Sequence, residues 1–85
     1  MEQDPRLRIA NTLRIVVGEM TGGPDIVRVS FVQGEKTTIY KITLEEESFR
    51  GKLIGSGGRN IVSLRQILGA MCANNGFRAI IDVVA

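Results

Sequence analysis

Leu53-Ile54-Gly55-Ser56-Gly57-Gly58-Arg59-Asn60-Ile61 runs from an apolar segment through a glycine-rich loop into a helical pattern. Peptide so poor in side chains at a helix start leaves unpaired N–H groups and roughly half a positive charge facing outward. Such an end attracts phosphate. The loop therefore grips a nucleic acid backbone, grips a nucleotide, or simply turns the chain. The sequence on either side separates these roles.

Upstream, Glu45-Glu46-Glu47 sits in the first turn of a short helix, where acids favour the dipole. Phe49 and Leu53 are one turn apart and share a buried face. Downstream, a helix runs from Arg59 to about Asn74, with Ile61, Leu64, Leu68, Met71 and Cys72 as its inner stripe. Asn74-Asn75-Gly76 ends it. Phe77 to Val84 then reads as a strand, with Ala79, Ile81 and Val83 on one face and Arg78, Ile80 and Asp82 on the other.

The N-terminal half completes the set. Asp4-Pro5 opens a first helix, a capping carboxylate before proline at the first helical position. Ile9, Ala10, Leu13, Val16 and Val17 form its inner face. Gly18 loosens its last turn, and Gly22-Gly23-Pro24 ends it. Asp25 to Gln33 alternates, with Val27, Val29 and Phe31 inward. Thr37 to Leu44 alternates again, with Tyr40, Ile42 and Leu44 inward, and Gln33-Gly34-Glu35-Lys36 turns between them. Two alternating runs around a short glycine-containing turn form a β-hairpin. The last strand, returning after two helices, lies parallel to the second through a crossover. The expected architecture is α+β, ordered α-β-β-α-α-β: a three-stranded mixed sheet with three helices on one face.

Eighty-five residues form one domain, 1–85. A hydrophobic share of 44% with 24% charged residues reads as globular rather than disordered. A single cysteine forms no internal disulfide, which points to a reducing, cytoplasmic setting. No apolar run approaches the ~20 residues of a membrane span. Met1-Glu2-Gln3-Asp4-Pro5 is polar and acidic, unlike a signal peptide. The net charge is only +2, but five basic residues and no acidic one fall between Arg50 and Ile81. Positive charge concentrated around a glycine loop favours an anionic partner.

Gly-x-x-Gly alone decides little, since a shuffled chain of this composition would hold about one match. Its surroundings decide more. A dinucleotide fingerprint needs a third glycine where Asn60 stands, and a strand before the loop. A phosphate loop would need a hydroxyl at Leu53 and a glycine at Glu46. Both nucleotide alternatives fail.

Ile54-Gly55-Ser56-Gly57-Gly58-Arg59-Asn60-Ile61 resembles the Ile-Gly-x-x-Gly-x-x-Ile signature of KH domains, and the element order resembles their type II arrangement. Gly51-Lys52-Leu53-Ile54-Gly55 through Arg59, followed by Leu64-Arg65, resembles the small bacterial single-KH RNA-binding proteins of the KhpA family. That resemblance implies a type II KH fold and single-stranded RNA as partner, with about four nucleotides held and the loop clamping their backbone. It implies a role as RNA chaperone or post-transcriptional regulator, and a homodimer or a heterodimer with a second KH-containing protein. Carried onto this chain, the RNA-binding residues are Lys52, Ile54, Gly55, Ser56, Gly57, Gly58, Arg59, Asn60, Ile61 and Arg65, joined by Arg78 and Ile80 from the third strand. Gly55 and Gly58 would let sugar and phosphate approach, since a Cβ there would collide. Amides near Gly57, Gly58 and Arg59 would donate to phosphate. Asn74-Asn75-Gly76 would edge the groove.

Ser56 and Gly57 put no charge at the loop tip, where such proteins often carry lysine or arginine. A smaller salt dependence follows. The alternative function is a degenerate KH domain serving protein–protein interaction. Outward Ile15, Val62 and Ile80 are the candidate contact residues for partners. Catalysis has no basis: no histidine activates Cys72, which reads as an inert buried thiol, and no carboxylate pair lies in an apolar setting. The three adjacent glutamates diverge on their helix, so neither metal nor cofactor is expected.

Overall fold

The computed structural model describes residues 4–85; Met1, Glu2 and Gln3 of the polar N-terminus lie outside the described residues. Asp4 caps the first helix, α1 (Pro5–Met20), its Oδ1 accepting the Arg6 amide at 3.0 Å. Ile9, Ala10, Leu13 and Val17 are buried. Val16, expected among them, is 39% exposed. Ile9, Leu13 and Val17 follow one line four residues apart, and Val16 falls off that line onto the rim.

Gly18 does more than loosen the end of α1. Its carbonyl accepts the Thr21 amide at 3.2 Å and the Gly23 amide at 2.9 Å, folding the chain back across the helix. A Cβ on Gly18 would stand 2.5 Å from the Pro24 nitrogen. We expect Gly18→Ala to destabilise the protein by about 1–2 kcal/mol, because backbone rather than a side chain must give way. A urea titration with unchanged slope and a lower midpoint is the expected result.

Pro24–Ile26 makes one 3-10 turn, so strand β1 (Arg28–Gln33) begins later than the alternation from Asp25 predicted. Proline fixes φ and withholds a ladder donor, which excludes the stretch beside it from the sheet. Val27 is nonetheless buried. The chain turns at Gly34, whose amide donates to the Thr37 carbonyl at 2.8 Å, and returns as β2 (Thr37–Thr43). Helix α2 (Glu47–Ile54) follows, with Glu46 as its N-cap, so only Glu47 of the three glutamates stands in the first turn. Helix α3 (Arg59–Ala73) comes after the glycine loop, then β3 (Arg78–Val84). Phe77 precedes β3; its amide donates to the Cys72 carbonyl at 3.1 Å and closes α3.

The sheet order is β1-β2-β3, with β1 antiparallel and β3 parallel to β2. The mixed sheet expected from the sequence is therefore present. Val29, Phe31, Tyr40, Ile42, Ala79, Ile81 and Val83 pack with the inner residues of all three helices. Among the described residues, no helix covers the other face. There Val32, Ile39 and Ile80 align across the three strands, with Val32 and Ile80 about half exposed. Ile15 and Val62 stand on α1 and α3, so the three expected contact residues do not form one patch. No described helix is long and apolar enough to cross a membrane.

Tyr40 is fully buried at the centre, and its hydroxyl donates to the Arg6 carbonyl at 3.0 Å. Burial, reinforced by the neighbouring Cys72 thiol, pushes its pKa up from 10.0 to about 12. Burial likewise pushes the Cys72 thiol up. A group held protonated in the folded state adds stability below its unfolded pKa and loses it as pH rises through the folded one. Stability is therefore expected to fall between pH 10 and about 12. Tyr40 is the chain's single tyrosine, so its ultraviolet titration reports this site alone. A midpoint at the ordinary value near 10 in the folded protein would remove the argument.

Candidate nucleic-acid interface

Helix α2 ends because Gly55 takes φ 79°, ψ 170°, a region essentially closed to other residues. Its amide still donates to the Gly51 carbonyl at 2.8 Å. Ser56–Gly58 then makes a tight turn, with Gly57 at φ 65° and Gly58 at φ 79°, before α3 begins. Asn60 holds the turn shut. Its Nδ2 donates to the Lys52 carbonyl at 3.0 Å, tying the start of α3 to the end of α2.

This closure changes what the loop offers. Of the three amides expected to face a phosphate, Gly58 donates to the Gly55 carbonyl at 3.0 Å and Arg59 to the Ser56 carbonyl. The amides of Ser56 and Gly57, at the exposed tip, have no acceptor among the described residues. Two successive free N–H groups at a positively polarised helix start form an anion-binding concavity. The close approach at Gly55 also proves internal. A Cβ there would lie 2.7 Å from Asn60 Cγ. Gly55 is glycine because of its backbone and Asn60, before any ligand is considered.

The structure brings Lys52, Ile54, Ser56, Gly57 and Arg59 to the surface around one turn. The Lys52 ammonium lies 5.6 Å from the centre of the Phe49 ring, a cation–π contact that holds it along α2. Ile54 is 40% exposed beside the loop, whereas Ile61 is buried and anchors α3 to the core. Arg65 is exposed, but six residues along a helix put it about 120° around from Arg59. Arg78 and Ile80 stand apart from this group. Their side chains lie on the face of the sheet opposite the helices, and Arg78 follows the C-terminal end of α3, a helix about 22 Å long that starts at the loop.

That far end holds a basic set that the charge run from Arg50 to Ile81 does not disclose. Arg6 stacks 4.3 Å above the Phe77 ring and donates to Thr38 Oγ1 at 3.0 Å. Arg8 donates to Asn75 Oδ1 at 3.1 Å. Lys36 and Arg78 flank a cleft of about 310 Å³ with Ala73, Gly76 and Phe77 on its walls. These residues come from three stretches of chain, so no local motif could have joined them. Among the described residues, no three His, Cys, Asp or Glu side chains gather to hold a metal.

An α-β-β-α-α-β chain with a mixed sheet and a Gly-x-x-Gly turn between its last two helices is a type II KH-like fold. The family model described as KhpA/KhpB, KH domain, matches residues 10–83, and the chain belongs to that family. It is similar to RNA-binding protein KhpA of Chlamydia pneumoniae, with 29% identity over 72 residues, covering 85% of this chain and 91% of the relative. RNA-binding protein KhpA of Aquifex aeolicus is 29% identical over 76 residues, covering 89% of this chain and 95% of its own. That of Clostridium acetobutylicum is 28% identical over 72 residues, covering 85% and 95%. The family is not an enzyme family.

Proposed function

We propose that this chain binds single-stranded RNA as one KH domain spanning residues 1–85, and acts in the cytoplasm as an RNA chaperone or post-transcriptional regulator. The observation that carries this is the loop tip. Two amides with no acceptor among the described residues, those of Ser56 and Gly57, project between Lys52 and Arg59, with no acidic residue from Arg50 to Ile81. The phosphate backbone meets those amides and is neutralised by Lys52, Arg59 and Arg65. Ile54 offers apolar surface to a base, and β3, with Arg78 and Ile80, borders the strand's onward path. Gly55, Gly58, Asn60 and Ile61 shape the clamp from within. The names of the relatives support RNA as the ligand. A footprint of about four nucleotides limits the affinity of one copy. Pairing with a second copy, or with another KH-containing protein, raises it through effective concentration.

Three cations on phosphate give a log–log salt slope of about −2 for a single strand. Binding of mixed-sequence RNA oligomers is therefore expected to weaken about 20-fold between ~50 and ~200 mM salt. An absence of salt-sensitive binding at both concentrations would instead favour a protein-interaction role for the fold.

A further inference from the structure

We propose that Phe49 is a positioning residue for RNA: its ring holds the Lys52 ammonium where the phosphate backbone passes the glycine loop. This role presupposes the RNA-binding function above and deepens it, by giving one of the cations a fixed place. The Lys52 ammonium lies 5.6 Å from the centre of the Phe49 ring. Helical side chains lean toward the start of their helix, so the Lys52 stem already points back to the residue one turn earlier. No acid on α2 competes for the charge. The residues three and four positions before Lys52 are Phe49 and Ser48, and those after it are Gly55 and Ser56. Lys52 forms no ion pair among the described residues.

The ring is itself held in place. Phe49 is half-buried, and a Cβ on Gly22 would stand 2.7 Å from its Cζ, so the chain leaving α1 packs directly against the ring edge. The other side of the ammonium is open. Lys52 is exposed, and a Cβ on neighbouring Gly51 would meet nothing within 4 Å. An ammonium carries three donors, so it lies over the ring and donates to a phosphate at the same time. Drawn back along α2, it meets the phosphate beside the one on the loop tip.

A lysine side chain with no such support spreads over many rotamers and must be fixed when it meets its ligand. Only the fraction of chains with the ammonium in place binds at full strength. A cation–π contact at an exposed site raises that fraction by a factor of about 2–5. Phe49 therefore tightens RNA binding without touching RNA, and without changing the number of phosphates neutralised.

The test is a double-mutant cycle on the full chain, read as binding of mixed-sequence RNA oligomers at ~50 and ~200 mM salt. Phe49 is changed to leucine in one variant. In a second it becomes pentafluorophenylalanine, which keeps the shape of the ring and reverses the charge on its face. Both changes are expected to weaken binding about 2- to 5-fold and to leave the salt slope unmoved. Lys52→Met removes one phosphate contact and is expected to flatten the slope by about 0.7. In the Lys52→Met background, neither change at Phe49 should weaken binding further. Equal weakening in both backgrounds, or an effect of leucine that the fluorinated ring does not reproduce, makes Phe49 a packing residue and overturns its role. Unchanged or tighter binding by the Phe49 variants overturns it too, as does a slope unmoved by Lys52→Met, which would leave no contact to position. A wild-type chain that binds no RNA at either salt overturns the RNA-binding function together with this role.

Discussion

Ser56→Asp/Gly57→Asp is expected to weaken RNA binding by about 100-fold while the protein remains folded. Both residues are exposed, and Ser56 has no positive φ. Gly57, at φ 65°, has nothing within 4 Å of where a Cβ would stand. Aspartate tolerates the left-handed region better than most residues, so the backbone burden is about 1–2 kcal/mol. That corresponds to a melting temperature lower by roughly 5–15 °C. Binding suffers differently. Two carboxylates at the tip would face the phosphate that the free amides attract. Like-charge juxtaposition costs several kcal/mol, and about 3 kcal/mol is a factor of about 100. Ser56→Asn/Gly57→Asn carries the same backbone burden without charge and is expected to keep most of the affinity. A folded aspartate variant that bound RNA as well as wild type would take the loop tip out of the interface.

The second large effect is on stability. Gly55→Ala is expected to cost about 2–4 kcal/mol. The conformation at φ 79°, ψ 170° contributes roughly 1–3 kcal/mol of strain for any residue with a Cβ. The clash with Asn60 adds to it, because Asn60 is held by its bond to the Lys52 carbonyl and cannot swing aside freely. Thermal unfolding should fall by roughly 10–25 °C. Asn60→Ala alone gives up one hydrogen bond, about 1 kcal/mol. In a double-mutant cycle the two changes should be less than additive, since Asn60→Ala also removes the obstruction. Full additivity would mean that backbone strain alone accounts for Gly55. The cycle also bears on function: loss of RNA binding in Gly55→Ala would reflect a broken turn, so that variant is no probe of the ligand.

The loop illustrates how far local sequence reaches. Its place between two helices, the flanking Lys52 and Arg59, and the uncharged tip were all visible in residues 52–61. The purpose of Gly55 was not. The sequence supplied a ligand-facing reason for its missing side chain, and the structure supplies Asn60. The amides behave similarly. Glycine content indicates free donors, but the turn geometry decides that Gly58 and Arg59 are occupied and that Ser56 and Gly57 remain. Val16 shows the same limit on α1, where a five-residue apolar stripe proved wider than the packed line through Ile9, Leu13 and Val17.

What the sequence determined by itself was the order and type of the elements, the inward set of each strand, and the glycine turn. Those depend on side-chain periodicity, capping and turn chemistry, which act over a few residues. Tertiary structure alone decided which distant residues share a surface. Lys36 meets Arg78 only because β3 adds parallel to β2 in one register. Arg6 reaches Phe77 only because the start of α1 lies against the far end of α3. Gly18 is confined by Pro24 only because the chain doubles back across α1. Register and helix docking come from burial summed over the whole core, and no single stretch of the chain carries that sum.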